Sequence, residues 1–266
     1  MIDDLARRIV AARAESQVLA APVNHGLTPE QAYRIQDLVL APRMTTGGGR
    51  GGWKLGYTSA VMREQMGVAE PNYGPLARAM ILDGSTLEGA VVSAGVTQPK
   101  VEPEIAAVLD RDVSPEATLD EVRESVRSWH LALEIVDSVW EGYRFDWALN
   151  TADGSSAAFV VLGPALLPGD GRDGGPVDLS AIEIELSLNG GPQAQGRSDA
   201  AMGDPVRALH WLSQRLADRG EMLRAGDVVI TGGLTKAIDL DVNDVVSARV
   251  TAPAAHADVT VAVRRH

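Results

Sequence analysis

The 266-residue sequence contains no cysteine. That excludes disulfides, thiolate zinc sites and cysteine nucleophiles together, and leaves the redox compartment unspecified. Positive charge is scarce: 24 Lys and Arg face 36 Asp and Glu, a formal net charge of −12. Such a surface repels phosphate backbones and anionic membranes, so nucleic acid is not an expected partner. Solubility is the ordinary reading of an acidic excess, with cation binding as the alternative. No apolar run is long enough to span a bilayer; the longest, near Ala157 to Leu167, is short and holds Gly163 and Pro164. The start, MIDDLARRIV, has two early acids and no apolar core of signal-peptide length, which predicts a cytoplasmic protein. No Gly-x-Ser-x-Gly elbow supports a serine hydrolase. His25, His130, His210, His256 and His266 are scattered without ligand spacing, and no strand–helix–strand alternation or solenoid-length repeat is visible.

The first forty residues read as helical. Ile2, Leu5, Ile9 and Ala12 recur at helical spacing. A second helix is predicted from Thr28, which can cap, through Pro29 at the first helical position to about Leu40, stopping before Pro42. From Trp53 the texture becomes short apolar runs broken by Gly, Pro, Asp and Asn. Strands are predicted at Trp53–Tyr57, Thr86–Val92, Lys100–Leu109, Leu131–Ser138, Ala157–Leu162, Ile182–Leu188, Asp227–Thr231, Val245–Val250 and Val259–Val263. Asn189-Gly190 after the alternating AIEIELSL predicts a hairpin. Thr118 with Glu121 forms a capping box ahead of a helix towards Trp129, and Asp204-Pro205 opens another that ends near Gly220. PGDGRDGGP, Pro168 to Pro176, reads as a loop. The fold class is therefore α+β on a large, mostly antiparallel sheet system. A small helical region with a glycine-rich connector (1–50) precedes a β-rich domain (51–266).

TTGGGRGGWK carries Gly47, Gly49 and Gly52 in a Gly-x-Gly-x-x-Gly spacing. A dinucleotide loop needs a strand before it and a helix after it, and here the order is reversed. A phosphate-binding lysine loop needs Ser or Thr after the lysine, and Lys54 precedes Leu55. The glycines therefore read as a flexible connector between helix and sheet. Lys54, between Trp53 and Leu55, is either a solvated edge residue or a buried one with altered proton affinity.

In KVEPEIAAVL, Glu102 and Glu104 are two apart, so a strand aims both carboxylates to one face. Glu183 and Glu185 in EIEL share the pattern, but there a solvent face suffices. What differs is the neighbourhood. Glu102 and Glu104 run into IAAVL, and Glu134 sits inside the equally apolar LALEIVDSVW. A carboxylate in such a setting needs a partner or a metal. Mg2+ or Mn2+ held by three oxygens is one reading; pairing with Lys100 or Lys54 is the other. Asp153, Ser155 and Ser156 close a polar loop before a strand, which is also ordinary turn chemistry.

GWKLGYTS, PNYG, KVEPEIAAVL, LALEIVDS, TADGSSAAFVVLG, GDPVRALHWL and AGDVVITGGLT, in this order, resemble the 2-keto-4-pentenoate hydratase and 4-oxalocrotonate decarboxylase family of the fumarylacetoacetate hydrolase superfamily. The resemblance implies a β-rich fold of that type, a divalent cation and homo-oligomeric assembly. It places the metal ligands at Glu102, Glu104 and Glu134, and the active-site lysine at Lys54. Asp153 becomes the acid–base candidate, with Asn72, Ser155 and Ser156 on the substrate-binding side. The implied activity is a divalent-metal-dependent lyase on a small 2-oxo or 2-hydroxy-dienoic acid, first of all a 2-hydroxypenta-2,4-dienoate-type hydratase. Decarboxylation of a 2-oxo-3-enedioate or C–C hydrolysis is the alternative within enzymes; a metal-binding, non-catalytic subunit is the alternative outside them. The chain departs from the family pattern at Asn72, where an acid is usual, and at Leu149 and Gly154, where the usual residues are an acid and an amide.

Overall fold

The computed structural model describes residues 1–85, 90–93, 95–166, 178–251 and 258–264. Two helices lead, α1 (Ile2–Ala14) and α2 (Pro29–Thr46), followed by β1 (Arg50–Gly56), α3 (Ala60–Met66), β2 (Asn72–Ala77), β3 (Ile81–Asp83) and β4 (Ala90–Ser93). The central pair β5 (Lys100–Leu109) and β6 (Val126–Val136) brackets α4 (Leu119–Glu124). Then come α5 (Trp147–Ala152), β7 (Ala157–Ala165), β8 (Glu183–Leu188), β9 (Gly191–Arg197) and α6 (Pro205–Ala217). The chain closes with β10 (Val228–Ile230), β11 (Ile238–Asp239), β12 (Val245–Val250) and β13 (Asp258–Arg264).

One sheet runs β2-β1-β10-β5-β6-β7-β3, with β11 also on β5; the other runs β4-β13-β12-β8-β9. Pairing is antiparallel except β1 with β10, β3 with β7 and β4 with β13. This mixed sheet system with short N-terminal helices is the α+β fold expected. Alternation along the strands divides the labour. Val101, Ile105 and Ala107 of β5 and Leu131, Leu133 and Ile135 of β6 enter the main core with Ile184, Leu186, Val246 and Ala248 of the second sheet. The intervening residues, among them Glu102, Glu104 and Glu134, face the other way. The helices α1 and α2 form a separate core with Val139, Trp140, Leu149 and Ala152.

Several boundaries differ from the sequence reading. The helix α2 continues through Pro42 to Thr46. Leu38 and Pro42 are both exposed, so the hydrogen bond that proline cannot make is missing on the solvent-facing side of the helix, and the Thr45 and Thr46 hydroxyls donate back to the Ala41 and Pro42 carbonyls. The capping box at Thr118 and Glu121 forms, but the helix ends at Glu124, because the chain from Val126 is captured as a strand by β5. The glycine stretch is not one flexible connector. Gly48 and Gly49 turn the chain with φ of 78° and 81°, whereas Gly51 and Gly52 lie inside β1. A Cβ on Gly52 would stand 1.8 Å from the Val228 carbonyl oxygen, so glycine is required there for close strand approach. Strand β2, unexpected from NYGPLA, carries Gly74 and Pro75, which an edge strand tolerates. The hairpin forms as read: Asn189 and Gly190, both with positive φ, link β8 to β9. The stretch Pro168–Pro176 and the first half of the Thr86–Val92 strand lie outside the described residues.

Candidate metal centre and its cavity

Strand register assembles the site. Glu102 of β5 sits opposite Glu134 of β6, and Glu104 opposite Ala132. Lys54 is aligned with Ile230, and Ile230 with Ala106, so Lys54 shares the face of the two β5 glutamates although three strands separate them in order. Glu102, Glu104 and Glu134 each bring one carboxylate oxygen to within 4.8 Å of the others. Glu104 and Glu134 are fully buried and Glu102 is half-buried. The Gly232 amide donates to Glu104 at 2.6 Å. A Cβ on Gly233 would stand 2.5 Å from Glu102 Oε2, so a larger residue there would displace the Glu102 carboxylate.

The buried Lys54 ammonium donates to Glu134 Oε2 and to the Ser155 carbonyl, both at 2.9 Å. The second sequence alternative, pairing with Lys54, is thus realised for Glu134 alone; Lys100 pairs with Asp239. Three carboxylates and one ammonium leave a formal charge of −2 in a buried pocket. Burial, reinforced by Glu134, pushes the Glu102 carboxyl up to about 7 against the pull of Lys54. Burial and then Glu134 push Glu104 well above the ordinary range. Burial pulls Lys54 down, but the three glutamates together outweigh it and raise its proton affinity. Among the described residues, Glu104 Oε1 is buried without a hydrogen-bond partner, and Glu134 Oε1 has only the Lys54 ammonium beside it, at 2.9 Å. Three converging hard oxygen donors with a formal charge of −2, one oxygen of them unsatisfied, fit a divalent cation such as Mg2+.

Beside this cluster lies a cavity of about 220 Å3. Lys54, Lys100, Glu102, Asn150, Ser155 and Ser156 form its polar wall; Tyr57, Met62, Tyr143 and Phe145 are among its apolar ones. The stretch 154–156 is left-handed throughout, with φ of 79°, 55° and 57°. Two such non-glycine residues in succession store about 1–3 kcal/mol each and need external support. Asn72 supplies part of it: its amide donates to Asn150 Oδ1 and Thr151 Oγ1, and its oxygen accepts from the Ser155 hydroxyl. A carboxylate could not donate those two bonds, which accounts physically for an amide at this departure from the family pattern. Gly154 is left-handed, and a Cβ there would meet Leu40 at 3.2 Å. Leu149 is buried in the helical core.

Of the residues singled out from sequence, Lys54, Glu102, Ser155 and Ser156 line the cavity, and Glu104 and Glu134 complete the acidic cluster. Asn72 stands behind the wall and positions it. Asp153, the acid–base candidate, is placed away from the cavity. It is fully buried, absent from the cavity lining, and accepts from Arg13, Ser138 and the Val139 amide. Burial raises its proton affinity against Arg13 and the Val139 amide, but its carboxylate ties α1 to the 150–156 loop rather than meeting a ligand. Sequence reasoning weighed Lys100 only as a partner for the carboxylates and missed Asn150 and the Gly232-Gly233 pair. Only TGGLT, a Gly-Gly directly after a strand, carried a local signal.

The mixed half-barrel with short N-terminal helices is a fumarylacetoacetate hydrolase-like fold. Residues 59–260 match the fumarylacetoacetate (FAA) hydrolase C-terminal family, and the chain belongs to it. It is 35% identical over 240 residues to a 2-keto-4-pentenoate hydratase of Burkholderia vietnamiensis, covering 88% of this chain and 87% of that protein. It is 31% identical over 214 residues to a 4-oxalocrotonate decarboxylase of a Pseudomonas species, covering 80% of each. The solved 4-oxalocrotonate decarboxylase from Pseudomonas putida G7, complexed with magnesium and adipate, superposes with a TM-score of 0.85 at 28% identity, covering 100% of this chain and 97% of that one. No helix among the described residues is long and apolar enough to cross a membrane.

Proposed function

We propose that the protein is a divalent-metal-dependent lyase that hydrates a 2-hydroxypenta-2,4-dienoate-type substrate. The observation that carries the reading is the convergence of three carboxylate oxygens within 4.8 Å, with Glu104 Oε1 buried and unpartnered, beside a small, largely apolar cavity. Glu102, Glu104 and Glu134 would hold Mg2+. When bound, the cation supplies Lewis-acid stabilisation of the negative charge that develops on the substrate's 2-oxygen. Lys54 uses two of its three donors on Glu134 and Ser155, leaving the third for the substrate carboxylate. Held from both sides, this ammonium orients the substrate without having to be ordered on binding.

The two serines are not equivalent. The Ser155 hydroxyl donates to Asn72, so its proton is engaged. Ser156 Oγ accepts from Asn150, and its own proton has no acceptor among the described residues, so it is the hydroxyl able to donate to a substrate oxygen or order a water. Tyr57, Met62, Tyr143 and Phe145 exclude bulk water from the diene.

A second reading, decarboxylation of a 2-oxo-3-enedioate, is favoured by one feature: Lys100 places a second ammonium on the cavity wall. That ammonium is engaged by Asp239 and lies 5.0 Å over the Tyr143 ring, so a diacid has to displace an existing partner. Absorbance with Mg2+ separates the two. Loss of the 2-hydroxypenta-2,4-dienoate band without CO2 is expected; CO2 release from the enedioate with no hydration would replace the first reading by the second. A cytoplasmic location and a homo-oligomeric assembly belong to the same proposal; the assembly rests on the resemblance, and light scattering on the purified protein tests it.

A further inference from the structure

Alternation along β1 sends Lys54 towards the carboxylate cluster and Leu55 into the main core, so a chain that stayed extended would aim Tyr57 to the core side as well. It does not stay extended. β1 ends at Gly56, and Tyr57 takes a left-handed backbone at φ 57°, a conformation unfavourable for a side chain that carries a ring. Tyr57 thereby stands on the wall of the same cavity as Lys54. The turn is held from α3, where the Arg63 guanidinium donates to the Tyr57 and Thr58 carbonyls at 2.6 and 3.0 Å. Strain of this kind persists only where the surrounding structure enforces it, and it concentrates at sites that act on a ligand.

The group so placed is a free hydroxyl. Two tyrosines share the wall, and they differ. Tyr143 donates to the Gln98 and Val136 carbonyls, each at 3.0 Å, so its proton is engaged. Among the described residues the half-buried Tyr57 hydroxyl has no hydrogen-bond partner. Burial, then the charges of Asp146 and Glu102, raise its proton affinity, so it stays a neutral donor. Glu102 belongs to the carboxylate cluster, and Asp146 caps α5 on the wall of a neighbouring cavity that also includes Tyr57. The phenol therefore stands between the cluster and Asp146.

A 2-hydroxy-dienoate with its carboxylate and 2-oxygen at Lys54 and the cluster extends its distal carbons away from them. Hydration puts one new polar atom there, the oxygen on carbon 4. Resting on the dienoate-hydratase reading, we propose that Tyr57 is a further catalytic residue, whose phenol hydroxyl donates a hydrogen bond to the oxygen that water brings to carbon 4. One lone pair of that oxygen accepts from Tyr57 while another forms the bond to carbon 4. The water gives up one proton and the 2-hydroxyl gives up another as it becomes a 2-oxo group; carbons 3 and 5 each gain one. The phenol keeps its own proton throughout.

The test is calorimetric binding of two acids to the Mg2+-loaded full chain: the hydrated product, 4-hydroxy-2-oxopentanoate, and 2-oxopentanoate, which lacks only the 4-hydroxyl. The unmodified protein is expected to bind the hydroxy acid about fivefold to tenfold more tightly, a comparison that needs no variant. Tyr57→Phe removes no bond present in the free protein. It is expected to keep the urea midpoint and the Mg2+ affinity, to bind 2-oxopentanoate as the parent does, and to lose the preference for the hydroxy acid. Its kcat on 2-hydroxypenta-2,4-dienoate should fall about tenfold with KM within about twofold, because the bond is made to an oxygen the dienoate does not yet carry. Equal binding of the two acids by the unmodified protein overturns the proposal, and so does a preference or a kcat that Tyr57→Phe leaves intact; with the parent turning over, each leaves the lyase reading standing. No turnover of the dienoate by the Mg2+-loaded parent overturns the lyase reading and the role of Tyr57 together.

Discussion

Replacing Lys54 by Met removes the ammonium from the carboxylate cluster while keeping a flexible, similarly long side chain in the strand. Lys54 and Glu134 have side chains only 5% and 1% exposed, so the pair is buried and solvent screening is small. In metal-free protein the formal charge of the cluster passes from −2 to −3, and the Ser155 carbonyl loses a donor at the start of a strained turn. Breaking one side of a buried pair costs about 3–5 kcal/mol, a large share of a domain's stability. With the ammonium gone, protons are the remaining counter-charge, so the penalty should be large at pH 8 and shrink towards pH 5.5. Saturating Mg2+ should restore about 2.7 kcal/mol at one hundred times its Kd, while dienoate turnover stays lost because the substrate carboxylate has no anchor. The assay is urea unfolding followed by tryptophan fluorescence, at equal protomer concentration, after dialysis against EDTA. An unchanged urea midpoint at pH 8 would refute the assignment of Lys54 as the buried counter-charge of this cluster.

Four further outcomes are expected. Mg2+ affinity should fall as pH drops through about 7, where Glu102 takes up a proton in the metal-free protein; calorimetry at pH 6 and 8 should show about tenfold weaker binding per unit below that point for each proton displaced. The sign for stability follows: a carboxyl raised in the folded state favours folding below its unfolded value, and that contribution is lost as pH rises to about 7, so EDTA-treated protein should melt lower at pH 7.5 than at pH 5.5. Gly52→Ala should destabilise by about 3 kcal/mol or more, because its Cβ lands 1.8 Å from a backbone oxygen, whereas Gly49→Ala, with nothing within 4 Å, pays only for its left-handed φ, about 1–2 kcal/mol in a chemical-denaturation comparison. Arg13→Met should leave the buried Asp153 carboxylate without its cation, costing about 3–5 kcal/mol at neutral pH; equal stability of variant and parent in thermal melts would remove α1 from the support of the 150–156 loop.

Much of this protein is legible along the chain because the relevant physics is local. Side-chain alternation on an extended strand is enough to put Glu102 and Glu104 on one face, and three carboxylates within apolar runs cannot be buried without a counter-charge. Caps at Thr28, Thr118 and Asp204 and the Asn189-Gly190 turn depend on residues only a few positions apart, so they form as read. What fails are features whose cause is distant. Whether 126–129 is helix or strand depends on β5, whose free edge captures it. Gly52 looks like a hinge in sequence and is a close contact because Val228, 176 residues later, runs beside it. Asp153 has the composition of an acid–base group, but Arg13 and the Val139 amide claim its carboxylate from elements that no sequence spacing connects. The chain alone therefore determined which side chains carry chemistry; strand register and burial decided which of them meet, since charge and hydrogen-bond partners in the interior are set by neighbours in space.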